Sequence, residues 1–205
     1  MVTEKEEYMS AWSETIGLPT EVKLYLAGPE VFLPDATDHA QVQRALCILY
    51  GFIGLHPMDN NVDVSDISYN TAVRIYRGDI RQIHECDIVV ANCNSFRGAL
   101  IDDGTAYELG FGNALGKPSY GYISTLDSYN LRIHKFPGTY FSQDVNAYVD
   151  RDGYVLVDDF GTFINLMMQC GMTEHGGRLI HGSFKDCLKA IQEDLIMGAL
   201  VLSSK

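Results

Sequence analysis

The near-continuous apolar run at residues 87–91 (DIVVA) is the feature of this sequence that most constrains its fold. A strand that does not alternate polar and apolar residues is typical of a parallel sheet, where both faces of the strand are covered. Parallel strands need long crossover connections, which are usually helices. The run therefore predicts an α/β fold with helices before and after this strand.

Short apolar runs alternate with amphipathic segments along the chain. Strands are predicted at residues 22–27, 52–55, 87–91 and 119–123. Helices are predicted at residues 38–50, 71–85, 104–115 and 183–198, where apolar residues recur at helical spacing. This alternation predicts a doubly wound, flavodoxin-like fold with a mainly parallel five-stranded sheet and helices on both faces.

The length of 205 residues favours a single domain. Residues 124–160 are rich in Tyr, Asp and Gly and show no clear period, so we interpret them as an insertion with a hairpin around 148–157. A short helix is predicted to begin within residues 161–170. No linker or internal repeat divides the chain.

Charge and composition limit the classes of partner that this protein is expected to bind. The formal net charge of −12 argues against binding to a nucleic acid polymer or to an anionic membrane. No run approaches the roughly 18 apolar residues of a membrane span, and the charged N-terminus does not resemble a signal peptide. The five Cys include no Cys-x-x-Cys pair, which indicates reduced thiols in a cytoplasmic protein. The His spacing predicts no metal site.

Polar residues follow the predicted strands. In a doubly wound sheet the ligand lies beyond the carboxyl ends of the strands, so these residues are expected to surround one cleft. Gly28, Pro29 and Asp59 are therefore candidate substrate-binding residues. The turns carry Gly28-Pro29-Glu30, Asp59-Asn60-Asn61 and the segment from Asp102 to Glu108.

Glu108 is the most informative of these carboxylates. It is expected near the first turn of the helix at 104–115, and a helix N-terminus stabilises a charged carboxylate by about 0.3–1 kcal/mol. That position would keep Glu108 ionised, as a nucleophile requires. The alternative is a glutamate that only complements the helix dipole.

Asp102 and Asp103 both precede the helix that carries Glu108. Either fits the N-cap position, where Asp is preferred. Because a helix needs only one N-cap residue, the other acid is available for a different role.

Asp79 lies on the otherwise apolar stripe of the helix at 71–85. A buried carboxylate needs a partner or a task, so the alternatives are a functional role and a salt bridge to an arginine. The stripe comprises Ala72, Ile75, Tyr76, Ile80 and Ile83, and the arginines are Arg74, Arg77 and Arg81.

Paired carboxylates in a cleft without a metal suit glycosyl transfer. One carboxylate attacks the anomeric carbon while an acid protonates the leaving group. The transition state resembles an oxocarbenium ion, and a negative pocket stabilises its developing positive charge.

Four blocks of the sequence, in order over residues 22–170, resemble the nucleoside 2-deoxyribosyltransferase family. The first is Leu24-Tyr25-Leu26-Ala27-Gly28-Pro29 with Phe32, and the second is Asp79-Ile80 with Cys86-Asp87-Ile88-Val89-Val90. The third consists of the segment from Asp102 to Gly110 together with Gly116-Lys117-Pro118. The fourth is Phe160-Gly161 with Asn165-Leu166-Met167.

The resemblance implies a role for each matched position. Glu108 matches the family's nucleophile, which forms a deoxyribosyl-enzyme intermediate, and Tyr25 matches a tyrosine that orients this glutamate. Asp102 and Asp79 match acids that bind the sugar hydroxyls and the base, and either of them can be the proton donor.

Asn165 and Met167 match residues that family members insert into the active site of a neighbouring subunit. The resemblance therefore implies a homo-oligomer with active sites shared between subunits. Family members are usually shorter, so the leader at 1–21, the insertion at 124–160 and the extension at 171–205 depart from the pattern. The insertion is a candidate wall of the base pocket.

We therefore predict an enzyme that transfers the 2-deoxyribosyl group between nucleobases through a covalent Glu108 intermediate, with retention of configuration. Its implied substrates are a deoxynucleoside and a free nucleobase, without a cofactor, which fits purine salvage. The alternative is an N-glycoside hydrolase of deoxynucleosides or nucleoside 5′-monophosphates, with Ser95 and Arg97 as candidate phosphate contacts. A non-catalytic flavodoxin-like binding module is the third hypothesis.

Overall fold

The computed structural model describes residues 22–60, 62–155 and 160–202. The predicted leader at 1–21 lies outside these ranges, as does Asn61 of the turn after the second strand. All five cysteines lie within them, and no disulfide joins any two of them. None of the helices in the described part of the chain combines the length and apolar character that a membrane crossing requires.

Seven strands and six α-helices make up the described chain. The strands are β1 (Lys23–Ala27), β2 (Ile53–Leu55), β3 (Ile88–Asn92), β4 (Ser119–Ile123), β5 (Tyr140–Ser142), β6 (Ala147–Val149) and β7 (Leu179–His181). The helices are α1 (Ala36–Leu49), α2 (Tyr69–Glu85), α3 (Asp103–Ala114), α4 (Tyr129–His134), α5 (Leu166–Glu174) and α6 (Phe184–Ile196). Two short 3-10 helices, Pro29–Phe32 and Pro57–Asn60, follow β1 and β2.

The main sheet has five strands in the order β2-β1-β3-β4-β7, and every pairing is parallel. The predicted doubly wound fold is confirmed. The direction of strand order reverses beside β1, so the carboxyl ends of β1 and β3 flank the crevice where such sheets bind ligands. The fifth strand, Leu179–His181, lies in the predicted extension, where the sequence pattern indicated no strand.

Alternate residues of β1 enter two separate hydrophobic cores because successive side chains of a strand point to opposite faces. Leu24 and Leu26 join the core that includes residues of α1 and α6. Tyr25 and Ala27 join the core that includes residues of α2, α3 and α5. Tyr25 is thereby directed at the same layer of helices that carries the predicted acids.

The predicted apolar stripe of α2 is buried only towards its C-terminal end, where Ile83 has no exposed surface. Ala72, Ile75 and Tyr76 are exposed, and the buried residues of this helix are Thr71, Gly78, Gln82 and Ile83. The reason is that α2 packs with a small and polar face against the 3-10 helix Pro57–Asn60. The Gln82 side-chain amide, for example, donates to the His56 carbonyl oxygen at 3.1 Å.

The predicted inner face of α6 is confirmed. Leu188 and Ile191 are fully buried, and Phe184 and Leu195 pack against the same core. Residues of the loop before β7 also hold the helix, since the Arg178 guanidinium pairs with the Asp194 carboxylate at 2.9 Å.

The insertion at 124–160 contains α4 and an antiparallel hairpin of β5 and β6. The regular hairpin therefore lies at 140–149. Asn146, with a φ of 51°, supports the turn, a conformation that Asn tolerates better than most residues. Within the hairpin predicted around 148–157, an isolated antiparallel bridge joins Val149 and Val155, and residues 156–157 lie outside the described residues. The predicted short helix begins at Leu166 as α5.

Candidate active site

Tyr25 and Glu108 form the centre of the site. The Tyr25 hydroxyl, at the middle of β1, donates a hydrogen bond of 2.5 Å to Oε1 of Glu108 on α3. Tyr25 has no exposed surface. Glu108 is half-buried as a residue, and its carboxylate is the end that reaches this buried hydroxyl. The bond fixes the carboxylate against the carboxyl half of the sheet.

The pKa of Glu108 is raised from 4.5 to about 8, mainly because burial disfavours the charged form. The hydrogen bond from Tyr25 lowers it, while the negative charges of Asp79 and Asp102 raise it further. The expectation that the helix N-terminus keeps Glu108 ionised is wrong. Because α3 begins at Asp103, Glu108 lies in its second turn, and the dipole effect fades beyond the first turn.

Tyr25 remains a hydrogen-bond donor over the whole useful pH range. Its pKa is raised far above the ordinary value, first by burial and then by the negative charges of Glu108 and Asp79. A neutral phenol in this position donates its single proton to the glutamate. The structure thus gives Tyr25 the orienting contact that the family resemblance implied.

Asp102 is the N-cap of α3. Its Oδ2 accepts hydrogen bonds from the backbone N–H of Thr105 at 2.8 Å and from the Thr105 hydroxyl at 3.0 Å. Asp102 is buried, whereas Asp103 is exposed. The choice between the two candidate caps is therefore settled, and the capping acid is also the one whose charge acts on Glu108.

Asp79 reaches the site from α2. Its Oδ1 accepts a hydrogen bond of 2.7 Å from the side-chain amide of Asn60. Burial raises its pKa to about 6, and the hydrogen bond from Asn60 opposes that rise. No ion pair joins Asp79 to an arginine within residues 22–60, 62–155 and 160–202. We call Glu108, Asp79 and Asp102 the acid cluster.

Asp59 lies beside the acid cluster rather than in it. It is exposed, forms an ion pair of 2.6 Å with Arg44, and accepts a hydrogen bond of 2.9 Å from the backbone N–H of His56. The next residue, Asn60, is the one that contacts Asp79. Sequence reasoning missed Asn60 because an amide does not titrate, although it occupies the turn predicted to border the cleft.

Gly28 and Pro29 lie at the turn after β1. A Cβ at Gly28 would lie 2.0 Å from Oε2 of Glu30, so a larger residue at this position would displace the Glu30 carboxylate. Oε1 of Glu30 accepts hydrogen bonds from the Asn92 amide at 2.7 Å and from the Tyr122 hydroxyl at 2.8 Å. Glu30 thus links the carboxyl ends of β1, β3 and β4, a role that the sequence alone did not indicate.

A cavity of about 900 Å³ opens between the loop after β3 and the insertion. We call it the insertion cavity. Arg97 stacks over the rings of Phe32 and Phe96, with its guanidinium carbon 4.8 and 4.6 Å from their centroids. Asp102 lines the cavity, but Glu108 does not. Its walls include Phe32, Phe96, Arg97, Asp102, Phe136 and Arg151.

Asn165 and Met167 lie at the start of α5. The Asn165 side chain caps this helix by accepting a hydrogen bond of 3.0 Å from the backbone N–H of Met167. Met167 is 76% exposed. In the described chain neither residue makes a hydrogen bond to Tyr25 or to the acid cluster.

Comparison with known proteins finds chains and structures that this chain resembles. The chain resembles an uncharacterized protein of Schizosaccharomyces pombe, with 30% identity over 116 residues, and it spans about half of that relative's length (55%). Its structure is similar to that of a 2-desoxiribosyltransferase from Leishmania mexicana, with a TM-score of 0.62 and 28% identity over 84% of this chain and 97% of that one. A conserved protein from Enterococcus faecalis V583 shares the fold, with a TM-score of 0.55 and 19% identity over 88% of this chain and 99% of that one.

A family model described as nucleoside 2-deoxyribosyltransferase matches residues 24–167. The match includes Tyr25 and all three members of the acid cluster. It also includes Asn165 and Met167. The chain therefore belongs to the nucleoside 2-deoxyribosyltransferase family.

Proposed function

We propose that the chain transfers the 2-deoxyribosyl group between nucleobases through a covalent intermediate on Glu108, with retention of configuration. The observation that carries the proposal is the Glu108 carboxylate, which the buried Tyr25 hydroxyl holds at 2.5 Å while Asp79 and Asp102 act on it electrostatically. Membership of the family supports deoxyribosyl transfer or nucleoside N-glycosidic cleavage.

In the first step, the ionised form of Glu108, whose share grows as the pH approaches its pKa of about 8, attacks C1′ of the deoxynucleoside through one carboxylate oxygen from the α face. The bond between C1′ and the base nitrogen breaks, its electron pair stays on the base, and an acid donates a proton to the base. Asp79 suits this donation because its pKa of about 6 leaves it more often protonated near neutral pH than an ordinary aspartate. Asp102 remains the alternative donor.

In the second step, a nitrogen of a different base attacks C1′ from the face that the first base left, and the carboxylate that donated a proton in the first step takes up the proton of this nitrogen. The bond between Glu108 and C1′ breaks, and two inversions give net retention. The acid cluster stabilises the positive charge that develops on the sugar in both steps. A 2′-hydroxyl would withdraw electrons from C1′, so the deoxy sugar is the expected substrate.

Tyr25 orients the nucleophile. Because its hydroxyl binds Oε1 of Glu108, Oε2 is the oxygen we assign to the attack on C1′. The remaining candidate residues, Gly28, Pro29 and Asp59, are proposed to border the bound nucleoside at the carboxyl edge of the sheet.

The insertion cavity is the proposed base pocket. It adjoins the acid cluster through Asp102 and offers flat groups, among them Phe96, Phe136 and the guanidinium of Arg97. Planar bases stack on aromatic rings and on guanidinium planes. Exclusion of water from this space would preserve the covalent sugar for the second base.

A hydrolase of nucleoside 5′-monophosphates is the second candidate. Arg97 in the insertion cavity is a cation that a phosphate could contact. Asp102 and Asp103 line the same cavity and repel an anion, so transfer between neutral nucleosides is the better-supported reaction.

We also propose a homo-oligomer in which Asn165 and Met167 complete a neighbouring subunit's site, in a cytoplasmic enzyme of purine salvage. The exposure of Met167 leaves it available to a second copy. A mixture of Glu108→Ala and Asn165→Ala subunits tests this. If sites are shared, mixing two weakly active variants restores part of the activity, and if each subunit is self-contained it restores none.

The reaction itself is tested by incubation with deoxyinosine plus free adenine and cytosine, with products separated by chromatography. New deoxynucleosides support transfer, whereas deoxyribose and hypoxanthine alone, with or without acceptor bases, support the hydrolase. A 2-fluoro-arabinosyl nucleoside would trap the covalent sugar, and peptide mass spectrometry would then locate it. A trapped sugar on any residue other than Glu108 contradicts the proposed mechanism.

A further inference from the structure

The side-chain amide of Asn60 lies against two consecutive residues of α2. Its Nδ2 donates to Oδ1 of Asp79 at 2.7 Å. The same amide covers the α-carbon of Gly78, where a Cβ would stand 2.6 Å from both Nδ2 and Oδ1 of Asn60. Real Cβ atoms do not approach other atoms so closely, so the amide occupies this position only because residue 78 is glycine.

The direction of the amide is fixed by Asp79. Oδ1 of Asn60 is buried and has no hydrogen-bond partner in the described part of the chain, an unfavourable state for an acceptor. Reversing the amide would not relieve it, because Oδ1 would then face the carboxylate of Asp79. The orientation of the amide therefore provides a hydrogen bond to the Asp79 carboxylate and leaves Oδ1 of Asn60 unpaired within the described residues.

The turn that carries Asn60 is anchored on both sides. Asp59 accepts from the backbone N–H of His56 at 2.9 Å and pairs with Arg44 at 2.6 Å. The Gln82 amide of α2 donates to the His56 carbonyl oxygen at 3.1 Å. These contacts hold the 3-10 helix Pro57–Asn60 against α2 and leave little freedom to Asn60.

We propose that Asn60 and Gly78 form a positioning pair that orients Asp79 and stabilises its carboxylate form. The contacts themselves do not depend on the reaction. Only the catalytic importance of Asp79 rests on the proposed function.

The pair acts within a group of mutually interacting ionisable side chains. Asp79 faces the Asn60 amide from the turn, and its charge also acts on Glu108 of α3 and on Tyr25 of β1. Burial raises the pKa of Asp79 to about 6, and the amide holds it below the value that burial alone would give. Loss of the amide would raise the pKa of Asp79 further and weaken the negative field at Glu108.

The test is the titration of the Asp79 carboxyl carbon by NMR, with Asp79→Asn used to assign its signal. Asn60→Leu keeps the volume and removes the donor, so we expect the midpoint to move upward by about 1 pH unit. Asn60→Asp adds a like charge and should move it further. An unchanged midpoint in both variants overturns the proposal.

Gly78→Ala separates positioning from direct contact, since Asn60 is still present. The new Cβ should displace the amide and move the Asp79 midpoint in the same direction as Asn60→Leu. Gly110→Ala on α3 is the matched control, because a Cβ there would meet nothing within 4 Å. We expect the control to titrate like the parent chain.

A double-mutant cycle completes the experiment. In an Asn60→Ala background, Gly78→Ala should cause no further shift, since the amide it displaces is gone. An equal shift in both backgrounds means that Gly78 acts by another route and contradicts the pair. The titration needs no turnover, so absence of base exchange in the parent chain would refute the proposed function and leave this inference standing.

Discussion

The acid cluster and the insertion cavity are neighbours that share Asp102, yet they are built from different parts of the chain. The acid cluster is carried by α2 and α3 and is held by buried contacts such as the 2.5 Å bond from Tyr25. The insertion cavity is lined by the loop after β3 and by residues of the insertion. On the proposed function, we expect the regular elements to set the reaction and the loops to set the choice of base.

Glu108→Gln is expected to have the largest effect, because it should abolish catalysis in the acid cluster without changing binding in the insertion cavity. The amide cannot form the covalent bond to C1′, so we expect kcat to fall by about 10⁴-fold or more, the scale seen when a nucleophile is removed. Nucleoside binding should survive because the insertion cavity is untouched. Base exchange by chromatography and binding by calorimetry measure the two effects.

Glu85→Gln, an exposed change on α2, is the matched control for this variant. It should retain parental turnover. Near-parental exchange by Glu108→Gln would place the chemistry outside the acid cluster.

Tyr25→Phe tests the orienting contact. Loss of one hydrogen bond to a charged group costs about 1.5–3 kcal/mol, so we expect kcat/KM to fall by about 10- to 100-fold. The rise of kcat/KM with pH should also move to higher pH, because the Tyr25 hydroxyl lowers the pKa of Glu108. Both are read from a pH–rate profile.

Tyr120→Phe is its control, since Tyr120 is equally buried but bonds to Asp194 in the other core. This variant should lose stability and keep the parental pH profile. A profile that moves in Tyr120→Phe and not in Tyr25→Phe would contradict the assigned role.

The pH dependence of stability gives a test that needs no substrate. Glu108 holds its proton more tightly in the folded chain, with a pKa of about 8, than at its ordinary value of 4.5. The folded state therefore binds more protons at this site, so the contribution of Glu108 to the free energy of unfolding is fully present below pH 4.5 and is lost as the pH rises through about 8. Urea unfolding at a series of pH values measures the decline.

Glu108→Gln cannot ionise and should flatten that decline, becoming the more stable protein at high pH. Asp79, with a pKa raised to about 6, contributes a smaller decline of the same sign at lower pH. Identical curves for the two proteins would mean that the Glu108 carboxyl is not desolvated.

Phe136→Ala is expected to have the smallest effect and to act on the other region. Phe136 lines the insertion cavity, so its loss should change the ratio of kcat/KM between adenine and cytosine by a few-fold, or about 1 kcal/mol. The rate of formation of the trapped sugar on Glu108 should stay the same. Phe141→Ala is the control, since Phe141 is similarly exposed and does not line the cavity.

The regular part of the fold was predictable because burial on both faces leaves an apolar run in the sequence. The fifth strand, Leu179–His181, was not, since three residues carry no period and their placement depends on pairing with β4. The apolar stripe of α2 was an incomplete guide to which residues are buried, for a related reason. Apolar residues such as Ile75 can lie on a surface, whereas Gly78 is buried because the side chain of Asn60 covers it.

The site was predictable where chemistry and topology coincide. Glu108 and Asp102 follow a strand whose carboxyl end faces the cleft, so their neighbourhood could be inferred. Asn60 and Glu30 could not, because their importance comes from partners distant in sequence, Asp79 and Tyr122. The raised pKa of Glu108 also required the structure, since burial is its main cause.

Asp102 caps α3 and also belongs to the acid cluster, so one substitution there would change two properties at once. It would remove the cap of the helix that carries Glu108, and it would alter the charge near that carboxylate. If Glu108 is the nucleophile, as proposed, selection for a new leaving group should meet less resistance at Asp79, which lies inside α2 and caps no helix of the described chain.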